Sequence, residues 1–132
     1  MRLLLLSQSF LPNRGGVETH LVLLLPQLKK AGWEITVLTA NKNQKKPDEK
    51  LKSYEEIDTT VIYRFEIPVQ RFFGLLSIYH QLLSKLKLFK QADLIIIHDI
   101  FLYFLPLRLL LPSKKVITVF HGWEGQFPIP HK

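Results

Sequence analysis

The sequence predicts a doubly wound α/β domain, a parallel sheet with helices on both faces. Three observations carry this reading. Apolar or β-branched runs of strand length recur at residues 2–7, 34–39, 60–65, 93–98 and 115–120. Between them lie segments with apolar residues at helical spacing. A loop closing on Gly15 and Gly16 joins the first strand to the first helix. In doubly wound sheets that corner handles phosphate, because glycines let a bound group approach the backbone and the helix offers unpaired N–H groups.

Taken in order, residues 2–7 form a buried leucine strand. The following helix begins near Val17 and presents apolar residues at 17, 21, 24, 25 and 28. Lys29 and Lys30 suit the negative end of its dipole, and Gly32 stops it. Pro26 removes a backbone donor and crowds the Val22 carbonyl, which predicts a kink. Residues 34–39 are the second strand. Residues 41–58 are polar, carry both signs of charge, and are expected to form an exposed loop with no assigned chemistry.

Residues 60–65 are the third strand, closed by Pro68. Residues 72–91 read as one long helix, with an apolar stripe at 75, 79, 82, 86 and 89 flanked by Arg71, Lys85, Lys87 and Lys90. The nearly continuous apolar run at 93–98 is what a parallel strand covered on both faces requires. Residues 101–111 form a short buried helix bent or ended by Pro106, and 115–120 the fifth strand. The order supposed for such a sheet is 3-2-1-4-5.

Composition bounds the partners. The 132 residues are 47% hydrophobic, enough for one domain with a real core. With no cysteine, disulfides and thiolate metal sites are excluded. The leucine run after Met1-Arg2 is too short for a secretion signal, and the longest apolar stretch, 100–111, falls short of the ~20 residues that span a bilayer. A cytoplasmic location is expected. Eighteen Lys and Arg against 11 acidic residues, net +7, favour anionic partners. Without zinc-finger spacing, an arginine-rich arm or a recognition-helix pattern, nucleic acid is not expected among them. The G-x-G-x-x-G fingerprint of nicotinamide and flavin enzymes is missing, so no cofactor is expected.

The predicted strand order brings Gly15 and Gly16, His98 and Asp99, and His121 and Gly122 to one rim at the carboxyl ends of the strands. An imidazole there can donate to a sugar hydroxyl or a phosphate oxygen, and its charge varies near neutral pH. His98 either meets a ligand or holds a loop; His121, beside Gly122, is placed against ligand. A zinc site from His20, His98 and His121 lacks ligand spacing, and no Ser-His-Asp arrangement can be read from the sequence.

These residues carry a resemblance. Phe10-x-Pro12-x-x-Gly15-Gly16-x-Glu18, then Gly32 before Thr36-Val37-Leu38-Thr39, resembles the amino-terminal domain of family 4 (group 1) retaining glycosyltransferases of the GT-B fold. Ile97-His98-Asp99 and Phe120-His121-Gly122-Trp123-Glu124 fit in order and spacing. Pro26 inside the first helix, and Trp33 where that family often has histidine, depart from it. The resemblance implies transfer of a sugar from a nucleotide-sugar donor to a sugar or lipid-linked acceptor with anomeric retention. It implies donor or acceptor contacts from Gly15, Gly16, Glu18, His98, Asp99 and Gly122, and a catalytic role for His121. It also implies that a second domain, or a partner chain, supplies most of the nucleotide site. The expectation is thus an acceptor-side domain over residues 1–132 that does not work as a lone catalyst.

Two other classes stay open: a non-catalytic binding module of the same fold, and a flavodoxin-like interaction domain. Ser7, Gln8 and Ser9 stand where a phosphoacceptor domain needs an acidic cluster. Two surface expectations complete the reading. Apolar side chains near Phe10, Phe101 and Phe127 face a missing partner. Lys85, Lys87 and Lys90 either form the solvated edge of a core-facing helix or bind an anionic membrane electrostatically, with little apolar insertion if the 75-79-82-86 stripe is packed.

Overall fold

Alternation in the first strand decides the architecture. Along β1 (Arg2–Ser7), Leu3 and Leu5 pack with one set of residues and Leu4 and Leu6 with another, all at most 1% exposed. A strand whose two faces are both apolar must be covered on both. The computed structural model of the chain describes residues 1–13, 16–43, 45–46, 48–67, 71–98 and 101–119, with the backbone alone at 16, 17, 71, 72 and 101. Within these residues the elements are β1, α1 (Gly16–Lys30), β2 (Glu34–Ala40), β3 (Tyr54–Ile57), β4 (Thr60–Phe65), α2 (Arg71–Ser84), α3 (Leu86–Gln91), β5 (Leu94–His98), α4 (Phe101–Leu110) and β6 (Val116–Val119).

The six strands form one sheet in the order β3-β4-β2-β1-β5-β6, parallel except for β3. The expected 3-2-1-4-5 order is present in β4-β2-β1-β5-β6, and β3 adds an antiparallel edge. The sheet divides two cores. Leu3, Leu5, Ile35, Val37, Ile62 and Ile96 meet Leu21 and Leu25 of α1. On the other side Leu4, Leu6, Leu38, Ile95 and Ile97 meet Ile78 and Leu82 of α2, Phe89 of α3, and Phe104 and Leu107 of α4.

Helix α1 ends as its sequence requires. Gly32 has φ +95°, its N–H donates to the Lys29 carbonyl, and the Trp33 N–H reaches back to Leu28. That is a Schellman closure, with Trp33 and Leu28 packed against the same core. Helix α1 continues through Pro26, which lies on its exposed side.

Four expectations need correction. The 41–58 tract is not all loop: β3 pairs with β4 through a two-residue turn, Asp58-Thr59, at φ 48° and 67°. Two left-handed residues match the right-handed twist of the strands, and Asp58 suits the first position, but threonine stands at the second where glycine is usual, so the hairpin was hidden. The 72–91 segment breaks at Lys85 into α2 and α3, and its buried apolar side chains are Ile78, Leu82 and Phe89, with 75, 79 and 86 only half-buried. Helix α4 is not a buried helix, because Leu102, Leu105, Leu109 and Leu110 are exposed, and Pro106 does not end it. Phe10 is 2% exposed and belongs to the α1 core, so it is not part of an open apolar face. Phe127 and the Phe101 side chain lie outside the described residues.

Candidate functional site

The chain leaves β1 toward β2 and β4 on one side and returns through β5 and β6 on the other. The switch point is therefore between β1 and β5, where ligands of open α/β sheets bind outside the carboxyl ends of the strands. At that end the register aligns one residue from each of four neighbouring strands: Arg64 with Thr39, Thr39 with Ser7, and Ser7 with His98. One step earlier the aligned residues belong to the α1 face at two positions back: Ile62, Val37, Leu5 and Ile96. By the two-residue period, the four polar residues face the α1 side too.

This is an unusual last row. Ser7, Thr39, Arg64 and His98 are at most 6% exposed, where the row beneath them is wholly apolar. Buried polar groups are stable only with partners. Ser7 Oγ donates to the Ser9 carbonyl at 2.6 Å. Arg64 donates to the Leu11 carbonyl (2.7 Å), the Lys52 carbonyl (3.0 Å) and Glu55 Oε2 (2.8 Å). The His98 ring lies 6.0 Å from that of His20 on α1, between centroids. Thr39 Oγ1 and Arg64 Nε, both buried, find no hydrogen-bond partner among the described residues.

Above the row runs the β1–α1 connection. Asn13 shapes it: its N–H donates to the Phe10 carbonyl at 3.1 Å across a turn containing the cis Leu11–Pro12 bond. Its side-chain amide donates to Ser9 Oγ (3.1 Å) and to the Lys42 carbonyl (2.7 Å). Glu18, in the first turn of α1, suits the positive end of the helix and is 5% exposed. It lines a cavity of about 350 Å³ with Leu11, Thr19, Val22 and Leu23. A larger cavity, about 890 Å³, lies between Trp33, Asp93, Leu110 and Lys114. That one sits at the opposite end, where strands begin, and the doubly wound rule places ligands at the other.

Of the residues expected from sequence, Gly16 opens α1, Glu18 lines the cavity, and His98 ends β5 in the polar row. Gly15, Asp99, His121 and Gly122 lie outside the described residues. Sequence reasoning missed Ser7, Thr39 and Arg64. A polar residue at or next to the end of each of four apolar strands was the available signal, but only the register shows that they meet. Among the described residues no group of three or more His, Cys, Asp or Glu is arranged to hold a metal ion.

No curated protein matches the chain. Among solved structures it is similar to sucrose-phosphate synthase from Thermosynechococcus elongatus, at 14% identity and a TM-score of 0.57. The match covers 99% of this chain and 36% of that one, so the chain spans about a third of its length, and the likeness at this identity is one of fold. The family model for Glycosyltransferase Family 4 matches residues 14–132, from the start of the glycine corner through the last strand and beyond. With a doubly wound sheet of the expected order beneath that match, the chain belongs to glycosyltransferase family 4.

Proposed function

We propose that the chain is the amino-terminal, acceptor-side domain of a retaining glycosyltransferase that uses a nucleotide-sugar donor. The observation that carries this is the buried polar row Arg64-Thr39-Ser7-His98 at the switch point, under the start of α1. Departure of a nucleoside diphosphate builds negative charge on the leaving group and positive charge on the sugar. Donors fixed in a dry site stabilise such charge without reorganising. In this reading the Gly15-Gly16 corner and the first N–H groups of α1 approach the diphosphate. His98, Asp99, His121 and Gly122 contact the donor sugar, with His121 the catalytic residue. The Glu18 cavity receives the acceptor hydroxyl. A second domain, on the same polypeptide or a partner chain, holds the nucleotide.

The test is sugar transfer by the 132 residues alone and by the same residues with a second glycosyltransferase domain, over a panel of nucleotide sugars. Transfer is expected only with both. Robust transfer by the 132 residues alone, free of contaminating enzyme, overturns the division of labour. No binding of any nucleotide sugar to the two-domain protein overturns the donor assignment.

A specific surface favours a membrane-bound acceptor. Helices α2, α3 and α4 contain no acidic residue. Phe73, Leu76 and Leu83 on α2, and Leu102, Leu105 and Leu109 on α4, are exposed at helical spacing. The two helices adjoin, with the Tyr79 hydroxyl donating to the Leu102 carbonyl at 3.1 Å. Apolar stripes on a basic, acid-free face fit an anionic bilayer surface. No helix among the described residues is long and apolar enough to cross one. Of the lysines expected to drive binding, Lys85 stacks over the Tyr63 ring at 4.8 Å, while Lys87 and Lys90 are exposed. In this reading attachment is apolar as well as electrostatic, at the cytoplasmic face of the membrane. Co-sedimentation with anionic vesicles should survive moderate salt and fall when Leu76, Leu83, Leu105 and Leu109 are changed to serine. Equal binding by that variant would overturn it.

A further inference from the structure

Arg64 is an expensive residue to bury, and its position explains what it is for. Its side chain is wholly buried, although a charge taken from water needs close, well-aligned partners to be tolerated. The sheet does not need it. Two residues earlier on the same face Ile62 is buried without any such requirement, and an apolar residue at 64 would extend that core. What an apolar residue could not do is gather chain segments. The planar guanidinium donates in three directions at once. It reaches the Leu11 carbonyl, 53 residues away, the Lys52 carbonyl and the Glu55 carboxylate.

The contacts converge on the 41–57 tract and the turn before α1. The tract supplies Lys52 and Glu55 to Arg64, and the Lys42 carbonyl to Asn13. Its own course is fixed by backbone bonds: Leu51 N–H to the Asn41 carbonyl, and Arg64 N–H to the Ser53 carbonyl, both 2.9 Å. The turn at residues 10–13 is thus held from two sides, at Leu11 through Arg64 and at Asn13 through Lys42. Pro12 has no N–H to offer, and a turn residue's carbonyl needs an outside donor when it is taken from water.

We propose that Arg64 is a positioning residue: braced by Glu55 and the 41–57 tract, it sets where the 10–13 turn lies and so where α1 begins over the polar row. This rests on the sugar-transfer reading only for its consequence, since the brace itself is a matter of chain geometry. It gives the polar tract a role: β3 and its approach are the scaffold on which the donor corner is aimed.

The experiment is hydrogen exchange by mass spectrometry on the full chain, comparing wild type with Arg64→Met and with Glu55→Gln. Methionine keeps an unbranched side chain of somewhat smaller volume and leaves Glu55, whose side chain is 32% exposed, able to reach water. Exchange in peptides covering residues 8–13 should be about tenfold to a hundredfold faster in Arg64→Met, the scale of losing one charge-assisted hydrogen bond. Amides of β1, β2 and β5 should be unchanged. Glu55→Gln, at an edge strand, should show a smaller increase in the same peptides and serves if Arg64→Met does not fold. Equal exchange at 8–13 in wild type and in whichever variant folds overturns the proposal. A uniform rise across all strands also overturns it, because that is loss of stability without positioning. Failure of the sugar-transfer reading would look different: no nucleotide sugar would bind the two-domain protein, yet the exchange difference would persist.

Discussion

The two faces of the sheet are built from the same strands and end differently. Toward α1, the apolar layer stops one residue short of the carboxyl ends, and Arg64, Thr39, Ser7 and His98 finish it. Toward α2, α3 and α4, the apolar layer continues to Ala40, Phe65 and Ile97 at the same end. The α1 face carries Glu18 and a cavity; the other carries no acid on its helices and spreads leucine into solvent. Burial also raises the Tyr103 phenol on α4 above its ordinary range, with Tyr79 adding to the effect. One face ends in buried polar groups beside a cavity, and the other exposes apolar side chains.

If that contrast is right, the largest stability effects belong to the α2–α4 side. Phe89 and Phe104 are fully buried with ring centroids 5.8 Å apart. Phe104→Ala should cost about 3–5 kcal/mol in urea unfolding, from lost transfer energy plus the cavity. A cost below 1 kcal/mol would mean that this core is not packed as described.

A mid-sized effect sharpens the role of the edge hairpin. Thr59 is β-branched yet sits at φ 67°, a conformation that strains any residue with a Cβ. Thr59→Gly should raise stability by about 1 kcal/mol. Because β3 braces the α1 side, the same change should also increase protection of residues 8–13 against exchange. Stabilisation without added protection would separate the hairpin from the site.

Thr39→Val tests the polar row itself. The hydroxyl is buried without a partner among the described residues, so removing it should be neutral or stabilising by up to about 1 kcal/mol. Nucleotide-sugar affinity in the two-domain protein should fall in the same variant, the signature of a residue kept for ligand at a cost in stability. A loss of stability above 1 kcal/mol would show that the hydroxyl serves the fold.

The contrast between faces was only half legible in the sequence. Strands β1, β2, β4, β5 and β6 and their order could be read, because parallel strands covered on both sides are apolar throughout and helices alternate with them. The places of Glu18 in the first turn of α1 and of His98 at the end of β5 could be read as well. Strand β3 could not, since Tyr54-Glu55-Glu56-Ile57 carries two charges and its turn lacks glycine. Nor could Arg64. Within Thr-Val-Ile-Tyr-Arg-Phe it looks like an outward residue of a strand, and nothing local says that Leu11 is its partner. The α2–α4 surface was misjudged for a related reason. Both helices are apolar nearly all round, so periodicity found a stripe without showing which stripe the sheet would take.

The smallest expected effect on stability tests that surface most directly. Leu109 is 83% exposed and Leu105 is 41% exposed, one helical turn apart on α4. Buried leucines lose several kcal/mol on truncation because water-free contacts disappear, but a side chain already in water has few to lose. Changing either to serine should therefore alter unfolding free energy by no more than about 0.5 kcal/mol, most of it helix propensity. If the stripe is a contact surface, the same changes should reduce vesicle binding and raise solubility, effects that stability does not explain. A destabilisation above 1 kcal/mol would instead place these leucines in a core, with α4 covered by other parts of the protein. The two faces would then differ at the carboxyl rim alone, and the case for a membrane-facing side would rest on charge.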